Sequence, residues 1–351
     1  MKPHAVDDAI HVLLTADRHY IVPALVTAAS LLSSHRGAEP VVIHFASDQE
    51  DGEVERLFEA LVARRRNASV VFHCIDLDCF APGQPMPYGT GSYMTFARLL
   101  CGRFVPPDVS RLLYLDTDML CMRDVAELFR APASGRAVSM APGHYLDRAC
   151  PWEACVPFAP REPGESGVVF SAGLMLLDLD AWRCRTDEML GVFAERHREL
   201  PHLDQSVINY VWRREIEPLP RKWNHWAGAA DARPDEVLHF IGRVKPWSPR
   251  VGMSGPVVLW WAVYEHQIRP LLPAALQKSA PPEWRTWAQV PLRDRLALAP
   301  PRLVNWAIGM IRPGRRSAER RRGDLDYLRS KQARVRQRLM WAQAIRRAAG
   351  G

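Results

Sequence analysis

Residues 112–120 read LLYLDTDML, a short apolar run that ends on two aspartates, Asp116 and Asp118. Alternate residues of a strand share a face, so a strand over 112–115 aims both carboxylates at one point just beyond its end. At about 5 Å and an effective dielectric near 20, two such charges repel by roughly 3 kcal/mol. A divalent cation removes that cost and leaves coordination positions for phosphate oxygens.

Around this stretch the chain alternates apolar runs with helix-period segments. His11–Ala16, Val41–Ala46 and Val70–Ile75 read as strands, Tyr20–Ser34 and Glu50–Arg66 as helices. A Pro- and Gly-rich loop at Ala81–Ser92 leads into a helix starting near Tyr93. An irregular stretch at 142–166 precedes an apolar strand, Gly167–Leu177, and helices at Ala181–Glu199 and Asp204–Trp212. Strands rich in Val, Ile and Leu, separated by helices, predict an α/β fold with a mostly parallel sheet covered on both faces. Ligands of such sheets bind beyond the carboxyl ends of the strands, where Asp17, Asp116 and Asp118 all fall. The compact domain is expected over residues 8–270. Pro270, Pro273, Pro281, Pro282, Pro300 and Pro301 then make residues 271–351 a broken linker followed by a tail.

The formal net charge is +7, but residues 301–351 alone hold 14 Lys/Arg against 3 Asp/Glu. The remainder is mildly acidic, which argues against a nucleic-acid-binding core. In the tail, Leu325, Leu328, Val335, Leu339, Ala342 and Ile345 recur at helical spacing with arginines on the other faces. Such a helix either lies on an anionic membrane or packs its apolar face on the body. Seven cysteines without paired metal spacing suit a reducing compartment, most of them as small core residues. No signal-peptide pattern opens the chain, and no apolar run is long enough to span a bilayer. The expectation is a cytoplasmic protein that can sit on the inner face of the cell membrane.

Spacing alone does not single out Asp116 and Asp118, because Asp76/Asp78, Asp178/Asp180 and Asp324/Asp326 share it. Asp180 reads as the N-cap of the following helix, and Asp17 and Asp204 would also serve as helix caps. The neighbours decide. TADRHY at 15–20, TFARL at 95–99, LYLDTDML at 113–120, FSAGLMLLDLDAW at 170–182, LDQSVIN at 203–209 and HFIGRVKPW at 239–247 follow in that order. This series resembles glycosyltransferase family 8, which includes bacterial lipopolysaccharide galactosyl- and glucosyltransferases and the glycogenins. The resemblance covers roughly residues 10–270 and implies a GT-A nucleotide-diphospho-sugar transferase fold with a basic helical tail.

It also implies a site. His239 would join Asp116 and Asp118 as metal ligands, a donor set that suits Mn²⁺ better than Mg²⁺. Gly242 would let the backbone approach a diphosphate, and Lys245 would supply charge to it. Thr15, Asp17, Tyr20 and Thr117 would hold the uridine, and Arg98 would reach the donor sugar and phosphate. Asp204 would bind sugar hydroxyls, with Gln205 on the face opposite the leaving diphosphate. Ser171 stands where the family usually carries an Asn that touches the donor sugar; His19 and Ser206 also depart from the common residues. The implied reaction moves galactose or glucose, with retention, from a UDP-sugar to a glycan or glycolipid hydroxyl. Retention by a poor amide nucleophile is unfavourable, so attack from the leaving-group side is expected. Trp223 and Trp226, bracketing Asn224 and His225, either form an exposed platform for an acceptor sugar or are buried in the core. The competing reading is a non-catalytic protein of the same fold that binds a membrane or partner through its tail.

Overall fold

The structure, a computed structural model, describes residues 9–80, 92–131, 135–145, 148–149, 151–161, 167–248, 251–281 and 318–349. The loop expected at 81–91 and the Pro-broken segment 282–317 lie outside the described residues. The chain divides into two compact units, Met1–Lys245 with Gln267–Gln277, and Pro246–His266 with Lys278–Gly351.

In the first unit, β1 (Ile10–Thr15), α1 (Ile21–Ser34), β2 (Val41–Ser47), α2 (Gly52–Val62) and β3 (Ala68–Cys74) alternate as the periodicity predicts. The second helix is shorter than its polar pattern suggested. Its N-cap, Asp51, accepts from the amides of Glu53 and Val54. A 3₁₀ helix (Tyr93–Leu100) and α3 (Cys101–Phe104) lead to β4 (Arg111–Leu115), β5 (Met119–Cys121) and α4 (Ala126–Arg130). β6 (Val138–Pro142) follows, and the stretch read as irregular contains the short pair β7 (His144–Tyr145) and β8 (Arg148–Ala149), and α5 (Trp152–Cys155). Then come β9 (Phe170–Asp178), α6 (Leu179–Arg196), α7 (Asp204–Trp212), β10 (Ile216–Pro218), β11 (His225–Trp226) and β12 (Val237–His239).

Seven strands form one sheet in the order β10-β6-β9-β4-β1-β2-β3. Only β9 runs antiparallel to its neighbours β4 and β6. A smaller sheet has the order β11-β12-β5. Phe58 of α2 lies 4.4 Å from Phe45 of β2 on one face of the large sheet. The other face buries a core that includes Leu13, Phe96, Tyr114, Met175, Trp182 and Trp212. The antiparallel β9 has a consequence for function. It sets Ser171, Ala172 and Gly173 beside the carboxyl end of β4, where Leu115 pairs with Leu174.

Of the six described cysteines, Cys101, Cys121 and Cys155 are buried and Cys74, Cys79 and Cys184 are exposed. Fewer of them are core residues than composition suggested. In the second unit, α8 (Gly255–Val263) is buried along its whole length and packs with α9 (Ala318–Ala348). Val335, Ala342 and Ile345 of the tail helix are buried, with Trp341 and Ala344, while Arg334, Arg336, Arg346 and Arg347 face solvent. The side chains of Leu325 and Leu328 lie outside the described residues. No helix among the described residues is long and apolar enough to cross a membrane.

Three histidines form a ladder across β1, β2 and β3. His11 Nδ1 is 2.9 Å from His44 Nε2, and His44 Nδ1 is 2.9 Å from His73 Nε2. Burial, reinforced by the two neighbouring imidazoles, pushes the His44 pKa down to about 3 from an ordinary 6.5. Between those values the unfolded chain binds the proton and the folded chain does not. The ladder's contribution is therefore complete above pH 6.5 and is lost as pH falls toward 3. Urea titration should give an unfolding free energy about 2 kcal/mol lower at pH 5 than at pH 7. His44→Gln, which keeps a donor and an acceptor without titrating, should remove most of that difference.

Candidate functional site

The strand carrying the aspartates ends sooner than the sequence suggested. β4 stops at Leu115 and β5 starts at Met119, so Asp116 and Asp118 flank a turn and do not alternate along one strand. They converge because the chain passes there from the large sheet to the small one. Asp116 N donates to Gly173 O at 2.8 Å, and Phe240 N donates to Asp118 O at 3.0 Å. β12 pairs with β5 and so delivers His239 opposite Met119.

The three side chains close on one point. His239 Nε2 lies 3.2 Å from Asp118 Oδ1 and 3.5 Å from Asp116 Oδ2. One ligand atom from each residue lies within 4.8 Å of the others, the only such group among the described residues. Two carboxylates and an imidazole converging this closely fit a divalent cation.

Cations from the protein hold both carboxylates. Arg98 Nη2 donates to Asp116 Oδ1 at 2.8 Å, and its guanidinium carbon lies 4.2 Å from the centre of the Tyr114 ring. Arg98 Nη1 donates to Ala172 O, and Tyr114 Oη donates to Asp116 Oδ1 at 2.9 Å. Lys245 Nζ donates to Asp118 Oδ2 and to Phe240 O. Burial works to raise the Asp118 carboxyl, but His239 and Lys245 together outweigh it and hold it well below the usual carboxylate range. Lys245 is raised in turn, since Asp118 overcomes its burial.

Asp204 is not a cap. The N-cap position of α7 falls on Leu203, whose φ of 53° and ψ of −126° cost a residue with a side chain roughly 1–3 kcal/mol. Asp204 Oδ1 accepts from Thr95 Oγ1 at 2.6 Å. Its Oδ2 lies 3.1 Å from Arg98 Nε, but that N–H donates to Thr95 O, which leaves Oδ2 buried without a hydrogen-bond donor among the described residues. Burial pushes the Asp204 pKa upward against Arg98 and Thr95. Gln205 Oε1 accepts from Ala172 N at 3.2 Å.

A cleft of about 750 Å³ exposes Arg98, Asp116, Asp118, Ser171, Asp204, Gln205, His239, Gly242 and Lys245. A second cavity of about 480 Å³ shares Tyr20, Arg98, Asp116 and Asp118 with it and adds Thr15, Asp17 and Thr117. The structure therefore brings all thirteen expected residues to two adjoining cavities. Asp17 accepts from His19 N at 2.8 Å, while Tyr20 takes the N-cap position of α1, so the carboxylate makes a local turn and does not cap the helix. Burial raises the Tyr20 phenol. Gly242 has a φ of 95°, which only glycine adopts without strain.

Other expectations are corrected. Asp178, not Asp180, caps α6 by accepting from the amides of Asp180 and Ala181. Trp223 is buried, 4 % exposed, so the pair with Trp226 is no open platform. Three contributors were not anticipated. Tyr114 lies two residues before Asp116, a spacing that could have revealed it. Asn224 accepts from His239 Nδ1 at 2.9 Å across fifteen residues, for which the sequence holds no signal. Gly173 lets the site close: a Cβ there would stand 2.6 Å from His239 Nδ1 and 3.0 Å from Asp116 Oδ2.

Comparison with known proteins supplies the family. The profile described as Glycosyl transferase family 8 matches residues 11–250. The chain is 23% identical to probable galacturonosyltransferase-like 5 of Arabidopsis thaliana, over 73% of this chain and 76% of that one. It is 22% identical to lipopolysaccharide 1,3-galactosyltransferase of Salmonella typhimurium, over 70% and 74% of the two chains. Among solved structures, galactosyltransferase LgtC with donor and acceptor sugar analogues aligns with a TM-score of 0.58 at 20% identity, over 79% of this chain and 99% of LgtC. The fold is the GT-A fold of these transferases.

The packing of Gly173 makes a direct prediction. Gly173→Ala should displace His239 and weaken the affinity of this candidate site for a divalent cation at least about tenfold, read with Mn²⁺ as the probe by electron paramagnetic resonance.

Proposed function

The chain belongs to glycosyl transferase family 8, a family of retaining glycosyltransferases, and from that premise we propose that it transfers galactose or glucose from a UDP-sugar to a hydroxyl of a glycan or glycolipid. The observation that carries this reading is the convergence of Asp116, Asp118 and His239 at the junction of the two adjoining cavities.

Thr15, Asp17, Tyr20 and Thr117 line the smaller cavity, which suits a nucleoside. Asp116, Asp118 and His239 would hold a divalent metal ion, Mn²⁺ or Mg²⁺. When bound, that ion supplies positive charge against the diphosphate. Gly242 and Lys245 line the same cleft and add a close backbone approach and a point charge to the departing UDP. Asp204 Oδ2, ion-paired with Arg98 but buried without a hydrogen-bond donor among the described residues, is an acceptor suited to a sugar hydroxyl.

A neutral hexose is favoured over a hexuronate. Asp204 would repel a sugar carboxylate, and Arg98 is already engaged by Asp116, Asp204 and Ala172. Gln205 is anchored through its amide oxygen, and Asp204 by Thr95 and Arg98, so neither is arranged as a nucleophile. This supports attack from the leaving-group side, with a diphosphate oxygen taking the acceptor proton.

The proposed catalytic domain is residues 8–270, and residues 271–351 are the linker and tail. The lipopolysaccharide galactosyltransferase relative supports a bacterial-type glycolipid acceptor and a role in lipopolysaccharide biosynthesis. The exposed arginines of α9 support attachment to an anionic membrane from the cytoplasmic side.

UDP release from UDP-galactose and UDP-glucose tests the enzyme reading. Activity should appear with Mn²⁺, vanish with EDTA, and drop at least about a hundredfold in Asp118→Asn, as expected when a metal ligand is lost. Release that survives EDTA refutes the metal site. Co-sedimentation tests the tail: full-length protein should bind liposomes rich in anionic lipid, and a chain ending at residue 300 should not.

A further inference from the structure

Asn224 and Ser171 connect two parts of the cleft that the proposed reaction treats separately, the cation ligands and the sugar-facing wall. Asn224 is 3 % exposed, and its amide spans the gap between His239 and Ser171. His239 Nδ1 lies 2.9 Å from Asn224 Oδ1, and Asn224 Nδ2 donates to Ser171 Oγ at 3.0 Å. Gly173 N also donates to Ser171 Oγ, at 3.4 Å.

Proton bookkeeping fixes the direction of this chain. An amide oxygen carries no hydrogen, so the proton of the first contact belongs to His239 Nδ1. With a cation bound, a neutral imidazole protonated there would present a lone pair at Nε2, the nitrogen that faces Asp116 and Asp118. The reversed amide would put its NH₂ against Nδ1 and force a proton onto Nε2, where a cation must bind. At the far end, the lone pairs of Ser171 Oγ accept from Asn224 Nδ2 and Gly173 N. The serine proton must therefore leave in another direction, and Ser171 lines the cleft.

We propose that Asn224 is a positioning residue that couples cation ligation by His239 to recognition of the donor sugar: one amide holds His239 in its Nδ1–H form and turns the Ser171 hydroxyl into a hydrogen-bond donor toward a sugar oxygen. This rests on the reading of the cleft as a nucleotide-sugar site. A shorter serine in place of an asparagine is then no simple loss of contact. It is a single donor whose polarity is set from the cation side.

The test uses the full chain with Asn224→Ala, Asn224→Asp and Ser171→Ala. The readouts are Mn²⁺ affinity without nucleotide, and the affinities of UDP and UDP-galactose at saturating Mn²⁺. Asn224→Ala removes the acceptor for His239 and should weaken Mn²⁺ by about 10–100-fold. Asn224→Asp keeps that acceptor and should hold Mn²⁺ within about threefold of wild type. It has no donor for Ser171, so its preference for UDP-galactose over UDP should fall by about 3–10-fold, the worth of one hydrogen bond. Ser171→Ala should lose the same preference while retaining UDP and Mn²⁺ binding.

Equal Mn²⁺ loss in Asn224→Ala and Asn224→Asp overturns the proposal, as does an unchanged sugar preference in Asn224→Asp. A parallel fall of every affinity with thermal stability, the mark of a merely structural asparagine, overturns it too. Imidazole nitrogen shifts of His239 in the wild-type protein with Mg²⁺ give an answer that needs no substitution: Nδ1 must be protonated, and a protonated Nε2 sinks the proposal. Wild-type protein that binds neither Mn²⁺ nor UDP-galactose is a different failure, that of the nucleotide-sugar reading itself.

Discussion

Two carboxylates brought together, one buried and one half-buried, are the constraint around which the first unit is arranged. Asp118 is 8 % exposed, and a buried charge is tolerated only when it is paired. The compensation comes from distant parts of the chain. Arg98 reaches Asp116 from the 3₁₀ helix, while Lys245 reaches Asp118 from beyond β12. The large sheet and the small one thus meet over charges that neither could bury alone. Arg98 does double duty: it lies over the Tyr114 ring in the core, and it ties Asp116 to Asp204 across the cleft wall. The same balance keeps the Asp118 carboxyl ionised, which is the state a cation requires.

Much of the fold could be read because its periodicities are clean. The β1-α1-β2-α2-β3 series and the long β9 are apolar runs separated by amphipathic or polar segments, and they emerged within a few residues of expectation. Errors gathered where a side chain or a chain crossing overrides periodicity. Asp116 and Asp118 have strand spacing, yet a turn joins their strands because β5 leaves for another sheet. Leu203 occupies a backbone region that predicts glycine, because α7 must start there to carry Asp204 and Gln205 into the cleft. Local preference yields at such a point, and the sequence does not announce it.

Site residues divided in the same way. The aspartates, His239, Gly242 and Lys245 stand in short motifs whose order carries information. Asn224 acts through two partners, fifteen and fifty-three residues away, and its neighbours Trp223 and Trp226 drew attention to themselves instead. Gly173 matters for the space it does not fill, which no residue type encodes by itself. The tail shows a related ambiguity. Its apolar stripe is compatible with a bilayer or with a protein surface, and Val335, Ala342 and Ile345 of it are buried on a helix that packs with α8.

The other aspartate pairs explain why spacing alone could not choose among candidates. Asp76 accepts from the amide of Asp78, and Asp178 from those of Asp180 and Ala181. Those carboxylates are engaged by backbone that cannot move without unravelling a turn or a helix start. Asp116 and Asp118 are held by Arg98, Tyr114, His239 and Lys245, all through side chains. Side chains can change partner at the cost of a rotamer, whereas capped amides cannot. A carboxylate satisfied by side chains is therefore one a ligand can recruit, and the motif is distinguished by who its partners are and how easily they give way.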